Sequence, residues 1–338
     1  MSAMIDALRE GFRAVRRNSG LAVLLLVINL ALAAVLAVPL AGVLERDLHQ
    51  TDAAANMMYG FDFAWWSHWW DEQKGWTGSF GPEILGAGFA CRNLELLLQG
   101  DLPARLFSPS RREDNGDEPD PASPGAIDPV ILGLGVVYLL LQTFLTGGLL
   151  GVFRAPQGGW TVRGLLHGSG FYFGRFLRLA LLALLAAGLV FGLNAPFARW
   201  ADGQAREAVS ERAALAWSLG RYGLLLLALL FVHMISSYAK VVMVVEERSS
   251  ALLAFLSSIS FCLRNLGRAA GQYVTVGALG GLLILVWSAV DTRWETVGYR
   301  TQIIALALGQ AFVLIRIGLR LSLLAAQVAL YRRFSSGS

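Results

Sequence analysis

Residues 20–42, GLAVLLLVINLALAAVLAVPLAG, run for twenty-three positions without a charged side chain. An α-helix rises about 1.5 Å per residue, so such a run crosses a hydrocarbon core of about 30 Å. Five more blocks of this kind follow, at 130–152, 177–194, 215–239, 272–290 and 303–330. The third is the shortest, and the sixth is interrupted by Arg316 and Arg320. The first block follows arginines, as a secretory signal does, but signal cores run about 7–15 residues. It is read as an uncleaved span.

Composition agrees with this reading. Of 338 residues, 55% are hydrophobic and 15% charged, with a mean hydropathy of +0.54. Soluble domains carry about 25% charged residues, and a chain this apolar cannot cover a surface that faces water. The expected fold class is all-α: a polytopic membrane protein with six transmembrane helices.

Charge placement gives an orientation. Segments 1–19, 154–178, 240–271 and 331–338 hold fourteen Lys/Arg against four acids, Asp6, Glu10, Glu246 and Glu247. Segments 43–129, 195–221 and 291–302 hold twelve against twenty. Loops rich in Lys/Arg stay cytoplasmic, so both termini are expected inside the cell, in a cytoplasmic membrane. The pI near 9.3 follows from this asymmetry, and no nucleic-acid partner is expected. Cys91 and Cys262 fall on opposite sides and cannot pair.

The chain divides into residues 1–42 (an elbow and span one), an outer segment 43–129, and residues 130–338 (spans two to six), all in one membrane domain. In the outer segment Trp65, Trp66, Trp69 and Trp70 share one face of a helix. Trp favours the membrane–water interface, so this face is expected either on the outer leaflet or against the spans. A second apolar piece, 82–98, reads as another interfacial or re-entrant helix. Residues 107–127, rich in Pro, Ser, Gly and acids, bury too little to offset their ordering entropy and read as a linker.

Three short segments echo one another: Phe12 to Asn18, Phe173 to Arg178, and Phe261 to Asn265. Each combines Phe and Arg just ahead of an odd-numbered span. Cytoplasmic amphipathic elbow helices are therefore expected before spans one, three and five. The positive-inside rule alone also places basic residues there. Glycine pairs at four-residue spacing, Gly147/Gly151, Gly188/Gly192 and Gly277/Gly281, read as helix-packing positions.

The sharpest polar feature is in span six. Arg316 and Arg320 lie one turn apart, and their face extends to Gln302, Gly309 and Gln327. Charge at such depth is costly and marks candidate sites. The spans contain no acid, so the arginines are left to carbonyl oxygens, to Glu246 or Glu247, to water, or to an anionic head group, whose phosphate a guanidinium binds bidentately. His233, Ser237 and Lys240 form a supporting polar stripe in span four. No catalytic residue, metal ligand or cofactor is assigned, because no His, Cys or acid spacing carries such chemistry.

The run Ser237-Tyr238-Ala239-Lys240 through Val245-Glu246-Glu247-Arg248, the amphipathic stretch to Gly267 and the three-elbow plan resemble a group of bacterial integral membrane proteins. That group is similar in layout to the membrane domain ahead of some glycerophosphodiester phosphodiesterases. The resemblance implies a bacterial cytoplasmic membrane and a link to lipids. It carries no hydrolysis, since the catalytic histidines and carboxylates have no counterpart here. The expected function is non-enzymatic: binding, moving or organising anionic lipid or another amphiphile. The alternatives are a scaffold or subunit among other membrane proteins and, third, an intramembrane enzyme.

Overall fold

The computed structural model describes residues 2–49, 51, 53–57, 62–73, 75–81, 98, 128–155, 159–291 and 299–335. The apolar piece 82–98 (save Leu98), the linker 107–127 and Cys91 lie outside the described residues. Within them the regular elements are helices: α1 (Ser2–Arg17), α2 (Ser19–Leu48), α3 (Ala53–Met57), α4 (Phe63–Glu72), a 3-10 turn at Gly75–Ser79, α5 (Pro129–Arg154), α6 (Val162–Glu207), α7 (Glu211–Val245), α8 (Ala251–Arg264), α9 (Leu266–Asp291) and α10 (Tyr299–Ser335). Six of these, α2, α5, α6, α7, α9 and α10, are long and apolar enough to cross a membrane. Each contains one of the six apolar blocks and runs past it.

The overrun has a local cause. Hydropathy marks only the stretch that must sit in hydrocarbon, whereas a helix continues until its backbone groups find other partners. Those partners are visible at four starts. Thr161 Oγ1 accepts from Gly164 N at 3.1 Å, Ser210 Oγ from Ala213 N at 3.3 Å, and Ser250 Oγ from Leu253 N at 3.4 Å. Asp128 caps α5 from Val130 N at 2.8 Å, with Pro129 in the first turn. Such caps favour Ser, Thr and Asp, and a Pro beside them costs no hydrogen bond.

The breaks ahead of α2 and α9 are nearly the same structure. Asn18 sits at φ −114°, ψ 39° and Asn265 at φ −119°, ψ 28°. Each amide donates to the carbonyl four residues back, Asn18 to Ala14 at 2.9 Å and Asn265 to Phe261 at 3.3 Å. An Asn side chain that competes for the local backbone interrupts a helix. The third echo differs: where an Asn would stand there is Leu179, fully buried, and α6 runs through it unbroken, 46 residues from end to end, so no separate elbow helix precedes this span.

Burial is concentrated at one end of the bundle. Leu21 and Leu25 of α2, Leu145–Phe153 of α5, Leu165–Leu179 of α6, Met234–Val244 of α7 and Leu321–Tyr331 of α10 supply most of the core. α7 is buried on every side there because α5, α6, α8, α9 and α10 surround it. In the most apolar window of α7, 44% of residues are buried, against 6% in α9 and α10, whose outward halves keep their apolar faces uncovered.

Those halves pack chiefly in pairs. Trp200 of α6 meets Trp217 of α7 edge-on at 5.1 Å, with Arg221 Nη1 donating to both Asp202 carboxylate oxygens at 2.5 and 2.6 Å. Trp287 of α9 meets Phe312 of α10 at 5.2 Å.

Ion pairs close the packed end. Arg154, ending α5, holds Glu247 at 2.6 Å, and Arg248 holds Glu246 at 2.5 Å. Tyr331 also donates to Glu246, and Arg332 to the Arg154 carbonyl. Arg333 reaches Glu10 at 3.1 Å and Asp6 at 3.6 Å on α1. The N-terminal helix and the end of the C-terminal helix therefore lie at the same end of the molecule.

Of the glycine pairs read as packing positions, only the first is at a close contact, and its partner there is Gly148. A Cβ on Gly147 would meet Tyr172 Cβ at 3.0 Å and the Gly168 carbonyl at 3.2 Å. One on Gly148 would press on the Leu165 carbonyl and on Ser169 Oγ at 2.6 Å. Gly151, Gly188, Gly192, Gly277 and Gly281 have nothing within 4 Å. Spacing alone does not say which side of a helix is covered.

Candidate functional site

Three helices meet through a polar network at the inner edge of the packed end. Ser237 on α7 donates to Gln327 Oε1 on α10 at 2.8 Å, and Gln327 Nε2 donates to Tyr273 OH on α9 at 2.8 Å. A second chain lies beside it. Tyr238 OH donates to Gln272 Oε1 at 2.9 Å, and Gln272 Nε2 to the Ala326 carbonyl at 3.1 Å. Gln272 and Gln327 are fully buried. Each amide is met at both its oxygen and its nitrogen, which is what makes it tolerable where no water reaches.

The cations border this network. Arg320 lies two turns before Gln327 on α10, and His233 and Lys240 lie one turn to either side of Ser237 on α7. The His233 ring stands edge-on to Tyr273 at 5.9 Å. Lys240 is half-buried and Arg320 exposed. Neither makes a hydrogen bond or ion pair within the described residues. At 1.5 Å per residue, Arg320 is about 20 Å from the C-terminal end of α10, so it sits deep along the helix. The carboxylates considered as partners are held elsewhere: Glu246 by Tyr331 and Arg248, Glu247 by Arg154. Arg316 is exposed one turn further along.

The structure thus joins Ser237 and Gln327 by a direct bond and places His233, Lys240 and Arg320 around it. It adds Tyr273, Gln272 and Tyr238, which the stripe on span six did not suggest. Their signal is slight, a Gln-Tyr pair at the head of an apolar run, because the partners come from three helices and no single period contains them. Gln302 is exposed at the far end of α10, and Gly309 lies against Trp287.

The tryptophans occupy a separate place. Trp66 and Trp69 are buried, while Trp65 and Trp70 are half-buried. Trp69 stacks on Trp65 at 6.0 Å and donates to Asp47 at the end of α2 at 2.9 Å. Trp70 donates to the Gly78 carbonyl at 2.6 Å. Asp62 caps α4 from Trp65 N at 2.9 Å. Part of this face is therefore turned into the protein, against the end of α2.

Among the described residues no group of three His, Cys, Asp or Glu is placed to hold a metal ion. No protein-family model, curated protein or solved structure matches this chain.

Proposed function

We propose that this integral membrane protein binds the anionic head group of a lipid or similar amphiphile between α7 and α10, with Lys240 and Arg320 as its cationic contacts. The observation that carries the reading is that Lys240 and Arg320 stand on two packed apolar helices on either side of the Ser237–Gln327 bond, Arg320 deep along α10, and neither makes an ion pair among the described residues. Unpaired charge in such surroundings is costly, and a bound anion removes the cost. A phosphate suits both: bidentate to the guanidinium and point-like to the ammonium. His233 and Arg316 are the neighbouring polar side chains on the same two helices. The uncovered apolar halves of α9 and α10 leave room for acyl chains.

In the same reading the membrane is the bacterial cytoplasmic membrane, with both termini inside and α1 and α8 as amphipathic elbows. α4 lies at the outer boundary, where the half-buried Trp65 and Trp70 meet lipid head groups. The likeness in layout to the phosphodiesterase membrane domain belongs to this proposal as a statement about location and lipid, not about hydrolysis.

The test is native mass spectrometry of the chain extracted gently from its own membrane, beside Lys240→Leu/Arg320→Leu. An anionic lipid carried by the parent and absent from the variant is the expected result. The variant should also melt higher, because two unpaired charges have been removed. Equal lipid on both would end the head-group reading. Stoichiometric protein partners on the parent, with no lipid difference, would favour a scaffold.

A further inference from the structure

The junction between α8 and α9 carries a second basic recess, apart from the Lys240–Arg320 pair. It has a volume of about 410 Å³ and is lined by Met4, Arg264, Asn265, Leu266, Gly267 and Arg268. Two of the six are arginines and none is an acid. The nearby acids of α1, Asp6 and Glu10, are already engaged by Arg333. Arg264 is exposed and makes no hydrogen bond or ion pair among the described residues. Arg268 is positioned: it donates to Asn265 Oδ1 at 2.9 Å and lies over the Phe334 ring at 4.5 Å. Met4, packed on Gly271, closes the apolar side.

This construction occurs twice. At the equivalent break ahead of α2, a recess of about 210 Å³ opens beside Asn18, bordered by Arg13 and Arg17. There Glu10, held by Arg333, also borders the space, so the α8–α9 recess is the more electropositive of the two. Both lie where a short amphipathic helix turns into a span, the depth at which phospholipid phosphates sit in a bilayer. A guanidinium held from behind and a second one free to move suit a phosphate with several acceptor oxygens.

We infer that the α8–α9 recess binds a phosphate group through Arg264 and Arg268, from an anionic phospholipid at the membrane surface or from a soluble phosphate. The site does not depend on the Lys240–Arg320 reading.

The experiment titrates purified full-length protein in detergent with phosphatidic acid, and separately with diacylglycerol, which has the tails without the phosphate. Bound copies are counted by native mass spectrometry for the parent, Arg264→Gln and Arg264→Gln/Arg268→Gln. The expected result is one phosphatidic acid fewer on the double variant, or about a tenfold weaker affinity for it, with diacylglycerol unchanged. Displacement of that copy by millimolar inorganic phosphate identifies a soluble phosphate as the ligand; no displacement identifies the lipid. Unchanged phosphatidic acid binding, or equal loss of diacylglycerol, overturns the inference. Because Arg268 also steadies the joint, Arg264→Gln is the variant that leaves the fold intact and must show the same direction. The same loss in a Lys240→Leu/Arg320→Leu background separates this site from the deeper one.

Discussion

Gln327 shows how much one buried amide can hold together. It accepts from Ser237 and donates to Tyr273, so α7, α9 and α10 meet through one side chain. Interhelical hydrogen bonds in membranes average about 0.6 kcal/mol and reach about 1.7. Gln327→Leu removes two and leaves the Ser237 hydroxyl and the Tyr273 phenol only each other. We expect a loss of about 1–3 kcal/mol, read as a lower melting temperature in detergent.

Cys262 is fully buried, and burial pushes its thiol up to about 12. Thiolate is the reactive form, and with a raised value its fraction grows only as pH climbs toward 12. In a Cys91→Ser background, maleimide at pH 7 should therefore leave the native protein unlabelled and label it after denaturation. Labelling of the native state would place α8 away from the core.

Glu247 tests two small effects against each other. Its φ of 54° is left-handed, a conformation costing about 1–2 kcal/mol for a side chain other than glycine. Its ion pair with Arg154 is solvent-exposed and of a kind worth about 0–1 kcal/mol. Glu247→Gly gives up the second and relieves the first, so the melting temperature should hold or rise slightly.

At the scale of elements, the joint between α5 and α6 depends on the absence of side chains at Gly147, Gly148 and Gly168. Gly148→Ala forces a methyl against backbone that cannot move aside, and overpacking of this kind costs about 1–3 kcal/mol. Gly192→Ala, which has open space in front of it, is the matched control and should change nothing. A difference in melting temperature between the two variants checks the pair. Helix breaks belong to this scale as well. The three echoed segments look alike in charge and aromatic content, yet only the two that end in Asn turn a corner. The deciding feature is whether one side chain can take the carbonyl four residues back, and Leu179 cannot.

At the scale of the molecule, α1 and the end of α10 share one end, tied by Arg333 to Asp6 and Glu10. Whatever side of the membrane holds one terminus therefore holds the other. Fluorescent-protein and alkaline-phosphatase fusions at each terminus should both report the cytoplasm, while a phosphatase inserted near residue 110 should be active. Opposite reports from the two termini would contradict the bundle itself. The packed end and the open, pairwise half also predict unequal protection. Amide exchange should be slowest in residues 234–244 and faster in the outward halves of α9 and α10, as uncovered helices open more readily.

Six helices long and apolar enough to span, and the distribution of charge between their ends, were legible in the sequence alone. Both follow from one-dimensional quantities: apolar run length against bilayer thickness, and Lys/Arg counts per loop. Arg320, Gln327, Ser237, Lys240 and His233 were legible too, as polar positions in apolar runs, since a cost of that size marks a residue wherever it stands. Their arrangement was not. That Ser237 meets Gln327, that Tyr273 and Gln272 complete the network, and that Glu246 and Glu247 are bound away from the arginines depend on which helix faces which. Helix faces in lipid are chosen by packing and hydrogen bonding across helices, not by hydrophobicity, because every face of a span is apolar. That choice is made only in the tertiary structure.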